Sequence, residues 1–139
     1  MKIDFLTTQT HYFDHISPIW DTLKPECRGA FYVANHMLDY AREKLQNDLF
    51  LFGYDDNKPQ DPPVLSDDPV LVSAYGDMLF INSNYPNKKV FMMEHGTGHT
   101  FGSVAYPNGP GKRDCVDLFL SPNKYTVDKI HEVRATHCE

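Results

Sequence analysis

Cysteine is scarce and scattered: Cys27, Cys115 and Cys138 are the three in 139 residues, and no two form a CxxC pair. An odd, dispersed set neither staples a small fold nor builds a thiolate zinc site, so the reading is of free thiols in a reducing compartment. Positive charge is also short. Lys and Arg number 13 against 19 Asp and Glu, a formal net charge of −6. Gripping a phosphate backbone or an anionic membrane with the whole surface takes clustered Lys and Arg, so no nucleic-acid partner is expected. A local basic pocket stays open, with the pair Lys112-Arg113 as a candidate whose default reading is a solvated charge pair. No apolar run is long enough to span a bilayer. Met1 to Leu6 is a short apolar run holding Asp4, without the apolar core and cleavage site of a signal peptide, and reads as a first strand. The expectation is a cytoplasmic, soluble domain.

What is present suits one globular domain over residues 1–139. Hydrophobic residues make up 41% and aromatics 13%, enough for a real core at this length. Apolar segments recur at Lys2–Leu6, Ala30–Ala34, Leu49–Phe52, Val70–Val72, Val90–Met93 and Val116–Leu120. They are short and continuous rather than alternating, the pattern of strands buried on both faces of a parallel sheet. Helix signals lie between them. Ser17-Pro18 ahead of Ile19, Trp20 and Leu23 pairs a cap with a proline, and His11 to Ile16 reads alternatively as an earlier turn of that helix. Leu38, Ala41 and Leu45 mark a helix over about 36–46, and Ser121-Pro122 opens another to about Val133. Repeated strand–helix–strand units predict an α/β domain in three layers, α/β/α, with right-handed crossovers. Two long loops interrupt the pattern. Residues 53–69 hold four prolines and five aspartates and read as a surface excursion, with a lid as the lesser alternative. Residues 96–114 hold five glycines and two prolines. The last helix leads toward a strand that the chain does not supply, so a second half is expected.

In an open parallel sheet, ligands bind beyond the carboxyl ends of the strands. That rule selects Thr7, Thr8, Thr10 and His11 after the first strand, and Asn35 and His36 after the second. It selects Ser73, Tyr75 and Asp77 after the fourth, the segment Glu94 to Gly102 after the fifth, and Ser121 after the sixth. In the fifth-strand segment, His95 stands at the strand tip and is followed by Gly96, Thr97, Gly98 and His99. An imidazole there suits a general base, and glycines let backbone amides approach a ligand or form an anion nest. The plainer alternative is a strand end followed by an ordinary turn. A metal site through His95 and His99 lacks a third ligand, so no metal and no cofactor are expected. The threonines read as substrate contacts or as caps of the next helix, and capping is the simpler role. Ser121 at a helix start has the same two readings. His11 and His15 lie one helical turn apart, so one of them can line the cleft.

Two segments resemble the CDP-glycerol glycerophosphotransferase family. Phe91-Met92-Met93-Glu94-His95-Gly96-Thr97 is similar to its apolar-strand–His-Gly-Thr motif. Val116-Asp117-Leu118-Phe119-Leu120-Ser121-Pro122 is similar to its Asp-aromatic-apolar-Ser-Pro segment, in the same order and at the same separation. Related patterns occur in glycosyltransferases built from two facing Rossmann-like domains (the GT-B fold) and in UDP-N-acetylglucosamine 2-epimerases. The resemblance covers about residues 88–132 and implies a Rossmann-like N-terminal, acceptor-side domain. His95 takes the proton of the acceptor hydroxyl, and Thr8, His11, Glu94, Gly96, Thr97, Gly98, His99 and Ser121 contact substrate. The partners implied are a nucleotide-activated donor, held by a C-terminal domain or separate subunit absent from this chain, and a hydroxyl acceptor. The isolated chain is then expected to be inactive. Peripheral contact at the inner membrane face is left open, as is the oligomeric state. The sequence departs from the family at Glu94, where Trp is usual, and at Gly98-His99-Thr100, where Pro and a basic residue follow. Either a glycerophosphate or a glycosyl group thus fits as the group transferred. The alternatives are a non-catalytic module for a phosphorylated or sugar ligand and half of an epimerase.

Overall fold

The computed structural model describes residues 1–45, 48–58, 60–93 and 116–120. Six strands, β1 (Ile3–Thr7), β2 (Arg28–Ala34), β3 (Leu51–Tyr54), β4 (Val70–Val72), β5 (Val90–Met93) and β6 (Leu118–Leu120), form one sheet. Their order across the sheet is β3-β2-β1-β4-β5-β6, and every neighbouring pair is parallel. Successive residues of a strand face opposite sides, and both sides are covered. Phe5, Phe31 and Val33 pack on one side with Phe13, Ile16 and Trp20 of helix α1 (Thr10–Thr22) and Ala41 and Leu45 of helix α2 (Leu38–Leu45). Leu6, Tyr32, Val70, Val72, Val90 and Met92 pack on the other with Met78 and Ile81 of helix α3 (Tyr75–Asn84). The result is the expected three-layer, doubly wound, Rossmann-like domain.

The chain steps outward from β1 through β2 to β3, returns to the centre as β4, and steps outward the other way. Right-handed crossovers then require α1 and α2 on one face and α3 on the other. The reversal falls between β1 and β4, where the loops leaving the two carboxyl ends diverge and open a crevice.

Three local expectations change. Helix α1 starts at Thr10 and runs through Pro18, so Ser17-Pro18 does not open it and the alternative, with His11 to Ile16 as its earlier turn, holds. Proline deprives the carbonyl four residues earlier of its donor; that carbonyl belongs to Asp14, and both residues are on the exposed side. Strand β3 is displaced to Leu51–Tyr54, because a 3-10 turn occupies Asp48–Phe50. Helix α3 follows β4 in a stretch where no helix signal was singled out. It carries Gly76 and ends in Asn82-Ser83-Asn84, poor helix formers, and its buried residues Asp77, Met78 and Ile81 make no long apolar stripe. The predicted helix at Ser121 and the loop 96–114 lie outside the described residues.

Among its described residues the β3–β4 connection contains no helix, in keeping with a sequence that has prolines at 59, 62, 63 and 69. It covers the α3 face instead. Leu65 packs against that core, the Tyr85 hydroxyl donates to the Pro63 carbonyl, and the Tyr54 ring stacks on Phe80 with centroids 6.0 Å apart. At the amino end of the sheet, Asp4 is buried. Its Oδ1 accepts the Ala30 N–H at 2.9 Å, and its Oδ2 accepts Ser66 Oγ and Lys88 Nζ, the latter at 3.2 Å. Gly29 makes room for this carboxylate: a Cβ there would lie 2.4 Å from Asp4 Oδ1 and 2.6 Å from the Ile3 carbonyl oxygen.

Candidate functional site

A cavity of about 300 Å³ opens at the carboxyl ends of β1 and β4. Thr8, Gln9 and Tyr12 line it from the β1–α1 turn. Gly76, Asp77 and Phe80 line it from α3, and Tyr54, Asp55, Asp56 and Lys58 close it from the start of the β3–β4 connection.

Asp77 lies in the first turn of α3 and is 4% exposed. Thr8 Oγ1 donates to its Oδ1 at 2.9 Å, while its Oδ2 has no hydrogen-bond partner among the described residues. Burial pushes the carboxyl up to about 6; the bonds from Thr8 oppose that rise and the nearby Asp56 carboxylate adds to it. A carboxylate titrating so close to neutrality is suited to accept a proton or to hold a hydroxyl. Tyr54 is the second buried polar group with an unused atom: its hydroxyl has no partner among the described residues. Burial, and then the charges of Asp77 and Asp56, push its pKa far up, so it stays a neutral phenol and a hydrogen-bond donor. Gly76 is exposed, and a Cβ built on it meets nothing within 4 Å, so the cavity reaches the helix backbone there.

A neighbouring cavity of about 400 Å³ shares Thr8, Gln9 and Asp56 and adds Thr10, His11 and His36. His36 Nδ1 lies 3.7 Å from Asp56 Oδ1, and the His11 ring lies 3.9 Å, centroid to centroid, from that of Tyr12. The acids outnumber the cation in the main cavity, since Lys58 faces Asp55 at 3.5 Å and leaves Asp56 and Asp77 without a lysine or arginine in the lining.

The structure brings Thr8 and His11 to this edge, as the strand-end rule requires, and joins to them Asp77 from the end of β4. It changes the role of the threonines. The cap residue of α1 is Gln9, without a side-chain cap bond, and Thr8 turns to Asp77 instead of capping. His15 lies exposed outside both cavities. Glu94, His95, Gly96, Thr97, Gly98, His99 and Ser121 lie outside the described residues, as do Lys112 and Arg113. The last described residue of β5, Met93, accepts a hydrogen bond from Ser73 Oγ at 3.1 Å at the end of β4. Tyr54, Asp55, Asp56 and Lys58 were passed over within a loop read as a surface excursion; the cluster of acids was a signal, but its direction was not. Among the described residues, no group of three His, Cys, Asp or Glu is arranged to hold a metal ion, and no helix is long and apolar enough to cross a membrane.

Comparison with protein-family models, with curated proteins and with solved structures finds no match to this chain.

Proposed function

We propose that the chain is the acceptor-side domain of a transferase that moves a glycerophosphate or glycosyl group from a nucleotide-activated donor to an acceptor hydroxyl. The observation that carries the reading is Asp77: a buried carboxylate at the strand-order reversal, with one oxygen held by Thr8 and the other without a hydrogen-bond partner among the described residues. An acceptor hydroxyl donates to that oxygen and is oriented by it. The surplus of acids disfavours a nucleotide's phosphates in the same cavity, which suits the acceptor rather than the donor. In the transfer step the acceptor oxygen bonds to the donor's phosphorus or anomeric carbon. The bond to the nucleotide's phosphate breaks, the nucleotide departs, and the acceptor's proton passes to His95, the base that the His-Gly-Thr resemblance supplies.

The test is nucleotide release from CDP-glycerol or a uridine-diphosphate sugar, measured with the donor-binding half present. Release should depend on the acceptor and fall in His95→Ala by about a hundredfold or more, the usual contribution of a general base. Near-normal turnover in that variant would overturn the reading. Acceptor binding with no nucleotide release from any donor would make the chain a binding module instead.

A further inference from the structure

We infer that the cavity at the strand-order reversal recognises an uncharged hydroxyl group, of the kind a polyol or sugar carries, by two contacts made at once: the hydroxyl donates to Asp77 Oδ2 and accepts from the Tyr54 hydroxyl. The inference rests on the acceptor occupying this cleft, and not on the transfer step.

Two buried polar atoms of residues lining one cavity have no hydrogen-bond partner among the described residues, and both are shielded from bulk water. Such atoms are rare in native proteins, because an unmade buried hydrogen bond forfeits the full desolvation penalty of the group. One is an acceptor, the carboxylate oxygen of Asp77. The other is the phenol of Tyr54, which burial and then the neighbouring carboxylates hold in its protonated, donating form. Both residues line the same cavity, and the charge of Asp77 acts on Tyr54. An alcohol is the simple group that serves both, since it donates one bond and accepts others. An ammonium group donates only and leaves the Tyr54 proton without an acceptor. A phosphate satisfies Tyr54 but meets Asp77, and Asp56 beyond it, with like charge.

The surroundings agree. Thr8 fixes the other oxygen of Asp77, so the free one keeps its aim. The stacked Tyr54 and Phe80 rings give an apolar wall of the sort on which the C–H face of a polyol rests. Gly76 leaves the backbone open to a ligand, and a helix position where alanine is the better former suggests that this room is used.

The experiment titrates the full chain with glycerol, methyl α-glucopyranoside, ethylammonium and glycerol 3-phosphate, followed by saturation-transfer and chemical-shift NMR. The two uncharged probes should bind saturably, and glycerol 3-phosphate about tenfold more weakly or worse, a loss of about 1.4 kcal/mol. Tyr54→Phe should weaken the uncharged probes by up to about tenfold, the worth of one neutral hydrogen bond. Gly76→Leu, whose Cβ enters open space, should abolish binding while the thermal melt is no lower than in the parent, leucine being the better helix former. Binding of glycerol 3-phosphate or ethylammonium at least as tight as that of glycerol overturns the inference. So does a Gly76→Leu variant that binds normally, or an absence of saturation by either uncharged probe. Polyol binding without nucleotide release removes the transfer step and keeps this site; nucleotide release without polyol binding does the reverse.

Discussion

Thr8 and Asp77 stand 69 positions apart in the chain and meet at 2.9 Å, the hydroxyl of one donating to the carboxylate of the other. The bond ties the turn leaving the central strand β1 to the first turn of α3, across the crevice where the strand order reverses. It also sets the protonation of the site, because Thr8 is what restrains the upward push of burial on Asp77.

Replacing Thr8 with Val removes that restraint. The Asp77 carboxyl should titrate above its parent value of about 6. Stability at pH 7.5 should fall by about 1.5–3 kcal/mol, the range for a hydrogen bond to a charged group. The loss should be smaller at pH 5, where Asp77 is largely protonated. Carbon-13 NMR of the Asp77 carboxyl, with urea denaturation at the two pH values, checks both; an unchanged titration midpoint refutes the coupling.

Asp77→Asn should make the protein more stable near neutral pH. The folded-state value of about 6 lies above the ordinary 3.8, so the folded state binds the proton more tightly across that window. The contribution is fully present below about 3.8 and is lost as pH rises through about 6. Above that, the parent carries a buried, half-partnered charge worth on the order of 2–3 kcal/mol of destabilisation. The Asn side chain has no charge to bury and still accepts from Thr8. Denaturation midpoints measured from pH 4 to pH 8 should decline with pH in the parent and run flatter in the variant. Equal slopes would show that Asp77 is not the titrating group.

Gly76→Ala should raise stability by up to about 1 kcal/mol, the intrinsic advantage of alanine in a helix. Nothing lies in the way of the new methyl group. The same methyl narrows the cavity, so binding of an uncharged polyol should weaken as the melting temperature rises. A variant that is less stable than the parent would mean that the α3 backbone is not helical there.

Lys88→Met should destabilise the fold by about 3–5 kcal/mol, the usual result of leaving one half of a buried ion pair. Both side chains are almost wholly buried, at 4% and 1% exposure, and their charges lie 3.2 Å apart. Adding Asp4→Asn to Lys88→Met should recover part of the loss, since the orphaned charge disappears. Denaturant unfolding of the two variants measures this; a loss under about 1 kcal/mol, typical of an exposed pair, would refute the burial.

The parallel sheet was legible because its signal is local. Ala30–Ala34, Val70–Val72 and Val90–Met93 are continuous apolar runs bounded by polar turns, and each falls within a strand of the structure. Boundaries were less legible where two local rules competed. Ser17-Pro18 has the form of a helix start, yet tertiary burial of Phe13 and Ile16 extends α1 back to Thr10. Thr8 was singled out as lying beyond a strand end, but its role as a cap was read from its neighbours alone. Its actual partner could not be found that way. Helix α3 was illegible for a related reason: Met78 and Ile81 are its buried apolar residues, and a buried Asp77 beside them breaks the pattern that marks an amphipathic helix.

By itself, then, the amino-acid sequence determined the class of the domain, its short buried strands and the edge of the sheet at which chemistry belongs, because hydrophobic periodicity is written into neighbouring residues. Only the tertiary structure decided the order β3-β2-β1-β4-β5-β6, and with it which loops share a crevice. The meeting of Thr8, Tyr54 and Asp77 depends on crossovers between distant strands, and such contacts are set by how two covered faces pack and leave no mark at any one position.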